Sequence, residues 1–187
     1  KAILVAQKKN NDYSKIEDPL YNLRECEKIS VSTEKGIMVR LSDKRARLSN
    51  LVNPEHIVKV KGEKLIDTTL DQINYLFLMN QSIVNKFPTR EELFEFITSR
   101  YTKLKTVFSE YIDTHQQEIE GITNTSESMA LWVSRLEEQY IDLAKYLDFP
   151  LSFWVFRKRY IERLEKKIFD LCISLTMIYL TSLERRP

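Results

Sequence analysis

Apolar side chains in the last two thirds of the chain recur at intervals of three and four residues, and this spacing restricts the fold more than any other feature. Residues spaced in this way lie along one side of an α-helix, which has 3.6 residues per turn. The clearest stripe comprises Leu93, Phe96, Ile97, Tyr101, Leu104, Phe108, Tyr111 and Ile112. Similar stripes continue almost to the C-terminus, so we predict a helical bundle over residues 67–187.

Helix-start signals and prolines divide this region into separate helices. Thr68 with Asp71 and Thr89 with Glu92 both match the capping box, in which two side chains bind backbone N–H groups at a helix start. Pro88 lies between the two boxes and prevents the first helix from continuing. We therefore expect one helix to begin at the first box and a second to begin at the other.

Two further breaks, at residues 121–125 and 149–150, complete a set of about four helices. The last helix is predicted to start near Ser152 and to extend for roughly 30 residues, or about 45 Å at 1.5 Å per residue. The chain has only three glycines, which agrees with a mainly helical protein because glycine lowers helix stability. Helices joined by short connections pack most simply as an antiparallel bundle.

The first 66 residues show a period of two, which is typical of half-buried strands. The apolar residues of this pattern are Ile29, Val31, Ile37, Val39 and Leu41. Gly36 supplies a turn residue between them, so we predict a β-hairpin over residues 28–41. With a second short strand pair over 58–66 and an edge strand over 2–5, residues 1–66 form a small β-rich N-terminal portion. The predicted class is mainly α with this β-rich portion added.

The sequence lacks the motifs of common enzymes and cofactor-binding proteins. Three scattered glycines do not form a phosphate-binding loop, and there is no Gly-x-Ser-x-Gly segment around a serine nucleophile. His56, His115, Cys26 and Cys172 are the only histidines and cysteines, and their spacing matches no zinc motif. We expect no enzymatic activity, no metal, no cofactor and no small-molecule substrate. An acid–base pair brought together from distant residues needs no local motif and stays open.

The cysteines and the terminal sequences suggest where the protein works. Two cysteines far apart make a poor disulfide framework, which favours the reducing nucleus or cytoplasm. The longest uncharged stretch near the C-terminus, residues 171–183, is shorter than the roughly 20 residues of a membrane-spanning helix, so no membrane span is expected. Because the chain starts with Lys1 rather than Met, we interpret it as a domain fragment of a larger intracellular protein.

Charge is unevenly distributed along the chain. Residues 1–66 contain 14 Lys and Arg against 9 Asp and Glu, residues 67–150 contain 7 against 14, and residues 151–187 contain 8 against 4. Either the segments pair with one another, or the basic ends form a patch for nucleic acid or an acidic partner. The patch residues are Lys44, Arg45, Arg47, Lys59, Lys61, Arg157, Arg159, Arg163, Lys166 and Lys167. Glu162 and Glu165 interrupt the cluster on the last helix.

The C-terminal half of the last predicted helix, residues 168–183, is apolar on more than one side. Such a helix is either the buried centre of the bundle, or it leaves one side open to dock another chain. The residues that we expect to contact a partner in the second case are Ile168, Leu171, Leu175, Ile178 and Tyr179.

These features favour a non-catalytic protein–protein interaction module, acting as a scaffold or adaptor in a complex. It would dock another protein chain through the apolar last helix or through a basic surface. The alternative is a nucleic-acid-associated domain of a chromosome or RNA-processing complex that uses its Lys and Arg patches.

Overall fold

A computed structural model describes residues 18–53, 65–122, 127–148 and 157–184. These ranges contain α1 (Tyr21–Arg24), a 3₁₀ helix (Glu25–Ile29), α2 (Thr33–Val52), α3 (Leu65–Val84), α4 (Arg90–Thr114), α5 (Gln116–Ile122), α6 (Glu127–Leu147) and α7 (Arg157–Glu184). No strand occurs in these ranges. The prediction of a mainly helical protein is therefore confirmed.

The hairpin predicted over residues 28–41 is wrong, because the chain from Thr33 onward forms helix α2. Ile37 and Leu41 are four residues apart, a spacing that places them on one face of a helix as readily as on one face of a strand. Both are fully buried, whereas Val39 is 62% exposed on the other side of the helix. Over such a short segment, apolar residues spaced for a strand are also spaced for a helix. The chain adopts the helix because this buries the face that carries Ile37 and Leu41.

The other strands that we predicted in the N-terminal portion are not seen either. Residues 65 and 66 of the second strand pair belong to α3, and residues 58–64 lie outside the described residues. The edge strand predicted at residues 2–5 also lies outside them.

Gly36 lies in the first turn of helix α2. Close packing, and not a chain reversal, explains why a glycine occurs at this position. Ser32 is the N-cap of this helix, and its side-chain oxygen accepts a hydrogen bond from the Lys35 backbone N–H at 3.3 Å. A Cβ atom at position 36 would lie 2.5 Å from the Sγ atom of Cys26 in the 3₁₀ helix. Glycine therefore lets the 3₁₀ helix approach α2 closely.

Of the two predicted capping boxes, one is confirmed and one is wrong. Thr89 accepts from the Glu92 N–H at 3.2 Å, and the Glu92 carboxylate accepts from the Thr89 N–H at 2.8 Å. Thr68 and Asp71 lie inside α3 instead, because that helix already includes Leu65. The Asp71 carboxylate accepts from the Lys44 ammonium of α2 at 3.0 Å rather than capping a helix.

Helices α2, α3, α6 and α7 form a four-helix bundle in which each packs antiparallel to its neighbours. Along α2 and α3, Glu34 contacts Ser82 near one end, while Lys44 contacts Asp71 further along. The same reversed order relates α2 to α6 and α6 to α7. This arrangement agrees with the predicted antiparallel packing, but α2 is a member that the sequence did not identify.

Helix α4 lies across the outside of this bundle rather than within it. Near its middle, the Tyr101 ring meets Phe77 of α3 edge to face at 5.1 Å between ring centroids. Near its end, Tyr111 meets Trp132 of α6 at 6.4 Å. Next to Tyr101, Arg100 pairs with Glu165 of α7 at 2.7 Å. Helix α4 therefore covers the outer side of α7, which is consequently surrounded by α3, α4 and α6.

We expect Gly36→Ala to lower the free energy of unfolding by about 1–3 kcal/mol, because the added methyl group must displace the Cys26 side chain. Alanine is otherwise the better helix former by about 1 kcal/mol. The same substitution in a Cys26→Ala background, which lacks the Sγ atom, should therefore cost clearly less. Urea unfolding of the four members of this cycle measures the coupling. Equal losses in the two backgrounds would contradict the close-packing explanation.

Candidate interaction surface

The apolar residues of α7 that we predicted to bind a partner are mostly inside the bundle. Each of the following is at most 1% exposed: Ile168, Leu171, Leu175 and Ile178. Tyr179 is half-buried. Of the two interpretations of this helix, the buried central helix is therefore the one that the structure shows for these four residues. They contact other helices and are not accessible to a partner while the bundle is folded.

Four of the eight basic residues of the predicted patch that the structure describes form ion pairs with carboxylates. Two pairs link α2 to other helices, Lys44 to Asp71 at 3.0 Å and Arg45 to Glu137. Two more involve α7, Lys166 with Asp170 at 3.0 Å and Lys167 with Asp142. Three of these four pairs join a basic end of the sequence to its acidic middle. The uneven charge is thus partly neutralised between helices.

Of the remaining predicted basic residues, four are exposed and two lie outside the described residues. Arg47 is exposed on α2, and Lys59 and Lys61 lie outside the described residues. The first turns of α7 carry four exposed basic residues, which we call the α7 basic patch: Arg157, Lys158, Arg159 and Arg163. Within the part of the chain that the structure describes, Arg159 and Arg163 form no ion pair.

Packing of α4 against α7 neutralises one of the two carboxylates that interrupt this patch in the sequence. Glu165 pairs with Arg100 at 2.7 Å and also with Lys103, so its charge is directed toward α4 and is compensated there. Glu162 is exposed on α7 and stays close to the patch in sequence. The patch therefore keeps a net positive charge on the outside of the bundle.

Two surface grooves border the first half of α7. The α6–α7 groove has a volume of about 340 Å³ and is lined by Gln139, Asp142, Arg163, Lys166, Lys167 and Asp170. Its rim contains the two ion pairs of Lys166 and Lys167, so most of its charge is already neutralised. The α3–α7 groove has a volume of about 530 Å³ and is lined by Val84, Arg157, Lys158, Ile161 and Glu162.

The α3–α7 groove combines an apolar floor with a basic rim. Val84, the last residue of α3, is 38% exposed, and Ile161 is half-buried. Arg157 and Lys158 at the rim are exposed, with Glu162 beside them. The sequence analysis missed Val84 and Ile161. The sequence offers one indication that these two side chains are accessible: each lies at the end of an apolar stripe, where its helix extends beyond the core.

Helix α3 places several polar side chains in the core, and three of them, Thr68, Thr69 and Asn80, have no side-chain hydrogen-bond partner among the described residues. Gln72 accepts a hydrogen bond from the Tyr140 hydroxyl at 2.7 Å, and Asn74 accepts one from Tyr101 at 2.8 Å. Asn80 is 1% exposed, and neither atom of its amide group has a hydrogen-bond partner among the described residues. It lies one helical turn before Val84. An unpaired buried amide of this kind lowers the stability of the fold.

Four ionisable groups that are buried or half-buried among the helices have a raised pKa. Burial raises the pKa of the Tyr101 and Tyr140 hydroxyls and of the Cys172 thiol above their ordinary values. Burial also raises the pKa of Tyr160 to about 12, with Tyr146 and Glu34 adding to the shift. All four groups are therefore neutral at pH 7, and the two core tyrosines donate hydrogen bonds to α3.

Neither a cluster of metal ligands nor a membrane-spanning helix is present within the described ranges. No group of three or more His, Cys, Asp or Glu side chains in them is arranged to hold a metal ion. None of their helices combines the length and the apolar character that crossing a bilayer requires.

Comparisons with known proteins found no relative of this chain. No protein-family model matches the sequence, and neither a curated protein nor a solved structure is significantly similar to it.

We expect Asn80→Leu to raise the free energy of unfolding by about 1–3 kcal/mol, because it replaces an unpaired buried amide with an apolar group of similar branched shape. Asn74→Leu is the matched control on the same helix. It should lower stability, since it leaves the half-buried Tyr101 hydroxyl without its acceptor. Thermal and urea unfolding measure both changes. Destabilisation by Asn80→Leu would show that its amide has a partner after all.

Proposed function

We propose that this chain is a non-catalytic protein–protein interaction module that acts as a scaffold or adaptor. It docks its partner through a basic surface, the α7 basic patch, rather than through the apolar C-terminal half of α7. The observation that supports this choice is the difference between the two surfaces. Four of the five predicted apolar contact residues, Ile168, Leu171, Leu175 and Ile178, are inside the bundle, whereas the patch is exposed and two of its arginines have no carboxylate partner in the described chain.

The rigid surroundings of the patch support a docking role. Helix α7 is held from Leu164 onward by core contacts, and its exposed first turns extend from this buried part. The backbone of such a helix keeps its side chains at fixed attachment points, so a partner binds without the cost of ordering a loop. Exposed arginines also steer an acidic partner toward the surface and raise its rate of association.

A nucleic-acid-associated domain is the second candidate. It is supported by Arg159 and Arg163, which lie one turn apart on the same side of α7 and have no carboxylate partner among the described residues. Proteins that bind duplex DNA strongly often neutralise about 6–10 phosphates. The pairing of Lys44, Arg45 and Lys167 with carboxylates of other helices leaves fewer cations for that purpose.

Charge reversal of the patch tests the proposal in the cell from which the protein comes. We expect the double variant Arg159→Glu with Arg163→Glu to lose at least about 90% of a partner protein that the unaltered chain captures, because like charges then oppose docking. Lys105→Glu, which reverses an exposed charge on α4, is the control and should retain the partner. Thermal unfolding checks that both variants are folded.

Two results of this experiment would count against the proposal. Equal capture by the double variant and the control excludes the patch as the docking surface. Capture that depends on nucleic acid, and that disappears after nuclease treatment, favours the second candidate instead.

A further inference from the structure

We infer that the α3–α7 groove receives an acidic segment of a partner protein, with one apolar side chain of that segment inserted between Val84 and Ile161. This inference rests on the proposed function and names the chemistry of the partner. The groove is shallow and open to solvent, with a volume of about 530 Å³, so one large side chain can lie on its floor while the rest of the segment follows the surface.

The apolar part of the inference comes from the floor of the groove. Val84 is 38% exposed although it ends a helix whose other apolar residues are buried or half-buried. Ile161 lies across from it on α7 and is half-buried. Covering both side chains removes apolar surface from water, at about 25 cal/mol for each Å² covered. A charged or purely polar occupant would forgo this gain.

The acidic part of the inference comes from the rim and from the surface beyond it. Arg157 and Lys158 border the groove, and Arg159 and Arg163 continue the positive charge along α7. Six residues separate Arg157 from Arg163, which is about 9 Å along a helix. Roughly three residues of an extended segment span that distance. An apolar anchor with two or three acidic residues beside it therefore matches both the groove and the patch.

Glu162 distinguishes a protein segment from a nucleic-acid backbone. Its exposed carboxylate lies at the rim among the basic residues and repels any anion placed directly against it. A peptide can place its anchor or a polar side chain opposite Glu162 and its carboxylates opposite the arginines. A phosphate backbone carries charge at every step and does not contact an apolar floor favourably.

The test uses the purified 187-residue chain and a synthetic ten-residue peptide as the probe. The peptide carries a central Leu with Asp and Glu on both sides and a fluorescent label for anisotropy measurements. Two control peptides replace either the Leu with Ala or all acidic residues with Asn and Gln. We expect the labelled peptide to bind, and each control to bind at least about fivefold more weakly. Binding should also weaken with added salt.

Variants of the protein locate the site. Val84→Ser removes the apolar floor on α3 and should weaken binding by about tenfold, since burial of one valine contributes that much. The double variant Arg159→Ala with Arg163→Ala should weaken it by a similar factor at low salt. Val39→Ser, at an exposed valine of α2, is the matched control and should leave binding unchanged. On titration with the peptide, the methyl NMR signals of Val84 and Ile161 should shift.

Each outcome separates this inference from the proposed function. Binding that ignores Val84→Ser, or that leaves the two methyl signals unmoved, overturns the groove but leaves the α7 basic patch as the docking surface. Absence of binding by the acidic peptide overturns the inference as a whole. A single-stranded or duplex nucleic-acid probe that binds more tightly than the peptide also overturns it. Failure of the proposed function is recognised separately, by partner capture that survives charge reversal of the patch.

Discussion

Burial of α7 is the constraint on which the rest of the structure depends. From Leu164 to Ile178 the helix has buried side chains in every turn, and α3, α4 and α6 supply the surfaces that cover them. A helix that is apolar nearly all round must be enclosed in this way, because exposure of its apolar side chains to water is unfavourable. The crossing of α4 over the bundle follows from this requirement. The same enclosure leaves the first turns of α7 exposed, together with single side chains such as Leu180 and Leu183 near its end.

The helices that enclose α7 also bring polar side chains into the core, most of all α3. Helix α3 lies between α2 and α7 and is buried on several sides, so its polar side chains have to find partners inside the protein. Gln72 and Asn74 find them in the hydroxyl groups of Tyr140 and Tyr101, whereas Asn80 does not. The core is therefore less than optimal near the end of α3, which is also where the α3–α7 groove opens.

Electrostatic pairing between helices decides which part of the surface is available. Basic residues of α2 and α7 compensate acidic residues of α3 and α6, so charges that lie far apart in the sequence cancel in the fold. Exposed pairs of this kind contribute roughly 0–1 kcal/mol each to stability. Their larger effect is on recognition, because they occupy half of the described cations of the predicted basic surface, and the α7 basic patch is the largest cluster that remains outside them.

The sequence alone determined the helices from Thr89 onward, the capping box at Thr89, and the apolar character of α7, because these features depend on neighbours within about four residues. It misassigned residues 28–41, where Ile37 and Leu41 satisfy both periods and Gly36 resembles a turn. Only the tertiary structure decided that α2 completes the bundle, that Lys44 and Arg45 are paired, and that Val84 meets Ile161. These outcomes depend on contacts between residues distant along the chain, and no local pattern encodes such contacts.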